Sequence, residues 1–120
     1  MSLCVLAAGK TVVMAVSAFT LAWTHSIEKT RWEEDWRITP AGLQVDQARV
    51  KGSGAGMEPP DGSVLREGWW VYEPSVAPVP QLVLASSGTT LSGWSICGEG
   101  RCLTVGETAA DAIRLKACRD

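Results

Sequence analysis

Trp23-Thr24-His25-Ser26-Ile27-Glu28-Lys29-Thr30-Arg31-Trp32-Glu33-Glu34-Asp35-Trp36 holds the only histidine of the chain, three of its six tryptophans and four carboxylates within fourteen residues. Alternate residues of a strand face opposite sides. Phe19, Leu21, Trp23, His25 and Ile27 therefore form one largely apolar row on odd numbers. Beyond the polar break Glu28-Lys29-Thr30-Arg31 the row resumes on even numbers through Trp32, Glu34, Trp36 and Ile38. A four-residue hairpin loop makes that switch. It predicts Ile27 opposite Trp32, His25 opposite Glu34, Trp23 opposite Trp36 and Leu21 opposite Ile38, which puts an imidazole beside a carboxylate under a tryptophan pair. Such a pair has two readings. It can be two partly buried polar groups satisfying each other at the edge of a core, or a ligand-facing acid/base or anion-holding pair, because a neighbouring carboxylate favours the imidazolium. One histidine without a second imidazole nearby is weak ground for a catalytic zinc.

The same alternation extends in both directions. Leu3 to Ala7 and Thr11 to Val16 flank Ala8-Gly9-Lys10 as a first hairpin, and Phe19 to Ser26 with Trp32 to Thr39 form the second. Pro40-Ala41-Gly42 turns into Leu43 to Val50, where Leu43, Val45 and Gln47 alternate with Gln44, Asp46 and Ala48. Later runs are Gly68 to Glu73, Gln81 to Ser86, Gly93 to Gly98 and Arg101 to Val105. Trp69 and Trp70 should face opposite sides, one in the core. Val76-Ala77-Pro78-Val79-Pro80 is an extended connector, since closely spaced prolines exclude a helix and a central strand. Thr108-Ala109-Ala110-Asp111 resembles a helix capping box, but Ile113 to Ala117 alternates with period two and reads as a strand. The chain is therefore expected to be all-β: an antiparallel sandwich or partly open barrel of about eight to ten short strands with little helix. Its 120 residues make a single domain with one core.

Lys51 to Ser63 interrupts the pattern with four glycines and two prolines. Gly52, Gly54 and Gly56 could let backbone N–H groups converge on an anion. Equally, the stretch could be a plain connection between strands. No helix pattern follows it, so the fingerprints of dinucleotide and phosphate loops are absent.

Eleven basic against thirteen acidic side chains give a net charge of -2, and no Lys/Arg stripe runs along the sequence. The electrostatic footprint of a nucleic-acid binder is missing. The apolar stretch Thr11 to Trp23 is thirteen residues, short of the roughly 20 that a membrane-spanning helix needs. No charged side chain precedes Lys10, so a signal peptide is not visible. The chain either stays in the cytoplasm or begins where a leader was removed.

The four cysteines bear on that choice. Cys97-Gly98-Glu99-Gly100-Arg101-Cys102 reads as a hairpin turning at Glu99-Gly100, with Gly98 and Arg101 as the closing pair. Cys97 and Cys102 then face each other in a non-hydrogen-bonded pair at about 4.5 Å between Cα atoms, so a bridge is sterically possible. Cys4 and Cys118 could fasten the first strand to the last. Two such bridges imply an oxidising compartment. Four reduced cysteines, or a four-cysteine zinc site, are the competing readings.

Thr24-His25-Ser26, Thr30 with Glu33-Glu34, the run Gly52-Ser53-Gly54-Ala55-Gly56-Met57 with Glu58-Pro59-Pro60, and Gly68-Trp69-Trp70 resemble the bacterial family catalogued as domain of unknown function 1850. The resemblance covers most of the chain. It carries over no catalytic or binding residues. It does imply a setting beside tripartite ATP-independent periplasmic (TRAP) transporters, which take up organic acids.

Three functions remain open. One is a non-catalytic extracytoplasmic accessory domain binding a small carboxylate or a TRAP transporter subunit, with His25, Arg31, Glu34, Gly52, Gly54, Gly56 and Glu58 as candidate ligand-binding residues. The second is an enzyme using His25 and Glu34 for acid/base chemistry, against which stands the lack of a clear nucleophile. The third is an interaction module docking through exposed tryptophans. No cofactor or metal is implied.

Overall fold

The computed structural model describes residues 1–24, 30–51, 61–86, 93–107 and 110–119. These contain eleven strands and no helix: β1 (Ser2–Ala7), β2 (Lys10–Met14), β3 (Ala18–Thr24), β4 (Arg31–Thr39), β5 (Gly42–Lys51), β6 (Val64–Arg66), β7 (Trp69–Tyr72), β8 (Gln81–Leu84), β9 (Trp94–Gly98), β10 (Arg101–Val105) and β11 (Ile113–Cys118). They form two antiparallel sheets, one of four strands in the order β2-β1-β11-β8 and one of seven in the order β10-β9-β3-β4-β5-β7-β6. The sheets pack as an open sandwich and do not close into a barrel. The all-β expectation holds, as does the strand at the C-terminal end.

Three hairpins turn on two residues: Ala8-Gly9, Glu67-Gly68 and Glu99-Gly100. In each, both central residues have positive φ, from 49° to 86°. This is the mirror-image turn whose twist suits a hairpin, and glycine in second place takes it without steric cost. The alternating side chains then build the core. Leu3, Val5, Ile113 and Leu115 from the small sheet meet Leu21, Leu43 and Ile96 from the large one, none more than 2% exposed.

Three expectations need correction. Strands β3 and β4 pair Thr24 with Arg31, Trp23 with Trp32, Leu21 with Glu34 and Phe19 with Trp36. The expected register is displaced by four residues, so Glu34 faces Leu21 and not His25; His25 lies outside the described residues. The cause is visible in the packing. The rings of Trp23 and Trp32 stack with centroids 6.0 Å apart and planes at 7°, and Arg31 joins the strand instead of the turn, its Nε donating to Glu33 at 3.4 Å. Four is an even number, so every side chain keeps its expected face.

The second correction is a bulge. Asp35 pairs with Gln47 but Trp36 pairs with Val45, leaving Asp46 as an extra residue. Gln47 leaves the inner row, and Ala48 and Val50, at 1% and 0% exposure, enter it. The third is β6, absent from the expected runs because its three residues are all exposed and show no alternation.

Two disulfides are closed. Cys4 bonds Cys118 with Cα atoms 5.8 Å apart, and Cys97 bonds Cys102 across the β9–β10 hairpin with Cα atoms 4.1 Å apart.

Candidate functional site

The register of the seven-stranded sheet decides which side chains meet. On its outer face, away from the small sheet, Arg31, Glu33, Asp35 and Arg37 project from β4. Arg49 on β5 holds two of these carboxylates, donating through Nε to Glu33 at 2.8 Å and through Nη1 to Asp35 at 2.8 Å. Thr20 donates its hydroxyl to Asp35 at 2.8 Å, and Arg37 pairs with Asp46 at the bulge. Asp35 and Glu33 raise the Arg49 pKa further, while the Arg37 guanidinium holds the Asp46 carboxyl below its usual range. The centre of this face is a ladder of mutually neutralised charges.

The edge of the same face differs. Pairing of Lys51 with Trp69, and of Trp69 with Arg66, carries one row from β5 through β7 to β6. Arg31 is next in that row, since Trp32 pairs with Val50 one residue further in. Arg31, Lys51 and Arg66 thus line one end of the sheet with Trp69 among them. The Lys51 ammonium lies over the Trp69 ring, 5.2 Å from its centroid, a cation–π contact. Neither Lys51 nor Arg66 has an ion pair among the described residues, and Arg31 shares Glu33 with the closer Arg49. Arg66 also borders a cleft of about 320 Å³ lined by Gln47, Asp61, Val64, Val71 and Glu73.

The inner face is aromatic. Trp23, Trp32, Trp36, Trp70 and Trp94 all point to it. Trp23 stacks on Trp32 and tilts against Trp94 at 5.0 Å, and the Trp94 indole N–H donates to the Ala85 carbonyl at 2.9 Å. Glu34 sits among these rings and accepts a hydrogen bond from Trp36 Nε1 at 3.1 Å. Burial raises its pKa, and the Trp36 bond offsets part of that. Burial, with the Glu34 charge, also raises the pKa of Tyr72. Among the described residues, the buried indole nitrogens of Trp32 and Trp70 have no hydrogen-bond partner.

The sequence-predicted ligand set is therefore divided. Arg31 lies on the outer face and Glu34 on the inner face of the same strand. His25, Gly52, Gly54, Gly56 and Glu58 lie outside the described residues. Lys51, Arg66 and Trp69 were not legible as partners because their row runs across strands, where a reading along the chain finds no basic stripe. The only available signal was parity: Arg31 falls on the outer row of its strand, and Lys51 ends the strand beside it.

A seven-stranded sheet backed by a smaller one, with a cationic row at the end where two of its connections leave, defines a small all-β sandwich domain. The chain belongs to the family described as Domain of unknown function (DUF1850), whose model matches residues 19–105. No curated protein and no solved structure matches the chain. Among the described residues no helix is long and apolar enough to cross a membrane.

Proposed function

We propose that this domain is a non-catalytic binding module for an organic acid, working outside the cytoplasm as an accessory to solute uptake of the TRAP type. The observation that carries the reading is the row Arg31, Lys51 and Arg66 across four neighbouring strands, two of its cations without an ion pair among the described residues. Neighbouring strands lie about 4.8 Å apart, so Lys51 and Arg66 project from backbones about 10 Å apart with Trp69 between them. A di- or tricarboxylate can reach both cations while its carbon chain lies against the ring. The segments holding His25 and Gly52 to Gly56 follow Thr24 and Lys51, which end β3 and β5, the two strands flanking β4, at this same end of the sheet. His25 and the glycine segment therefore belong to the proposal as further anion contacts. Two disulfides support an oxidising compartment.

The tryptophan-docking reading is weaker on this geometry, because five of the six tryptophans face inward and three pack on one another. The acid/base reading is weaker too, because Glu34 pairs with Leu21 and the expected cross-strand pairing with His25 does not support it.

Calorimetric titration with succinate, malate and citrate tests the proposal. Binding should weaken as salt rises, and Lys51→Ala or Arg66→Ala should each weaken it by about tenfold or more. His25→Ala should weaken it as well. Absence of heat with every acid at millimolar concentration, or binding indifferent to both cation variants, would reject it.

A further inference from the structure

We infer that the Cys97–Cys102 bridge is a site of thiol–disulfide exchange, opened by an incoming thiolate that attacks Cys102 and expels Cys97. The two bridges of the molecule differ in exposure and in span, although Cys118 and Cys97 are both half-buried. Cys4 is 8% exposed, and its bond joins residues 114 apart in sequence. Cys102 is exposed, and its bond joins residues five apart at the tip of a hairpin already held by the β9–β10 ladder. By chain entropy the short span supplies roughly half the stabilisation of the long one, so the fold can open it and remain folded.

The two sulfurs also differ. Cys97 is half-buried on the outer face beside Thr20, whereas Cys102 stands on the edge strand β10. The Ser95 hydroxyl lies 3.4 Å from Cys97 Sγ. A bridged sulfur carries no hydrogen, so Ser95 Oγ is the donor, and the same hydroxyl would stabilise Cys97 as a departing thiolate. Exchange is faster when the leaving thiolate is stabilised and the attacked sulfur is accessible. A cleft of about 390 Å³ borders Cys97 and includes Asp35, Asp46 and Glu99. Asp35 is neutralised by Arg49 and Asp46 by Arg37, which leaves Glu99 as the one carboxylate of this cleft without an ion pair among the described residues.

In the step itself an external thiolate forms a sulfur–sulfur bond to Cys102 as the Cys97–Cys102 bond breaks, and the electron pair leaves on Cys97, which then takes a proton from water. With a monothiol the product is a mixed disulfide at Cys102. With a dithiol, its second thiolate attacks the external sulfur of that mixed disulfide and releases Cys102, leaving both cysteines reduced and the dithiol oxidised.

The test uses the intact chain, reduced glutathione as the monothiol and dithiothreitol as the dithiol, with acid quenching and peptide mapping by mass spectrometry without reduction. The expected result is a glutathione adduct on Cys102 and dithiothreitol opening of Cys97–Cys102 at least about tenfold faster than Cys4–Cys118. Ser95→Ala should slow that opening by about tenfold, the scale of a lost hydrogen bond to a charged group, with no change in the rate for Cys4–Cys118. The double variant Cys97→Ser with Cys102→Ser should fold and take no adduct, which separates exchange from unfolding. Adducts on Cys97, simultaneous opening of both bridges, or a Ser95→Ala protein that opens at the wild-type rate would overturn the inference.

Discussion

Glu34 stands opposite a leucine on the inner face of the large sheet, and one hydrogen bond from Trp36 accommodates it there. Its pKa is raised by burial, so between the ordinary carboxylate value and the raised one the folded protein binds more protons than the unfolded chain. The sign follows. Stability is greatest below the ordinary value and falls as pH rises through the raised one. Glu34→Gln, which keeps an acceptor for the Trp36 N–H, should therefore raise the melting temperature at pH 7 and leave it nearly unchanged at pH 4, as thermal unfolding at the two pH values will measure. Trp36→Phe removes the donor and leaves a partly buried carboxylate alone, at a cost of about 1–3 kcal/mol for the unsatisfied group in addition to lost packing. Combined with Glu34→Gln, the loss should be smaller than the sum of the separate effects. The sequence led to Glu34 through parity alone. It could not give the partner, because an indole N–H two residues along the same strand leaves no trace in an alternation pattern.

Much of the fold was legible at the scale of elements, because alternation and X-Gly turns are local signals. The strands Arg31–Thr39, Gly42–Lys51 and Arg101–Val105 fall where apolar rows and turn residues put them. Register was not local. Ring stacking between Trp23 and Trp32 and the bulge at Asp46 decide it, and both depend on contacts across strands. The basic row was hidden for the same reason. A further non-local contact lies at Gly42, whose φ of +126° lets β5 start against the proline-rich connector. There Leu43 and Val79 exchange backbone hydrogen bonds of 2.7 and 2.9 Å. A Cβ at residue 42 would run into the Val79 carbonyl. Gly42→Ala should cost about 2–3 kcal/mol in urea unfolding, from backbone strain and displacement of that bridge. Gly9→Ala, at a turn with nothing within 4 Å of the added atom, should cost only about 1 kcal/mol, the conformational part alone.

At the scale of the whole molecule the two sheets are built from different parts of the chain. The large sheet assembles mostly from neighbours in sequence, β3 with β4, β4 with β5, β6 with β7 and β9 with β10. The small sheet has β1 and β11, the first and last strands, as its central pair, with Val5 opposite Leu115 and Cys4 opposite Lys116. Bringing such distant segments together costs loop-closure entropy before any contact compensates it. The Cys4–Cys118 bond removes that cost from the unfolded chain, and for a span of 114 residues the effect is about 4–5 kcal/mol. A domain of this size has only about 5–15 kcal/mol of stability in total. Cys4→Ser with Cys118→Ser should therefore lose about 4 kcal/mol, and the loss should be uneven. Hydrogen exchange should accelerate first in β1, β2, β8 and β11, while β3, β4 and β5 keep their protection relative to the weakened sheet. The inner surface around Leu43 and Val45, covered by the small sheet, should then bind a hydrophobic dye before the large sheet unfolds. Uniform acceleration across both sheets would show instead that the sandwich opens as one cooperative unit and that the terminal bridge stabilises all of it equally.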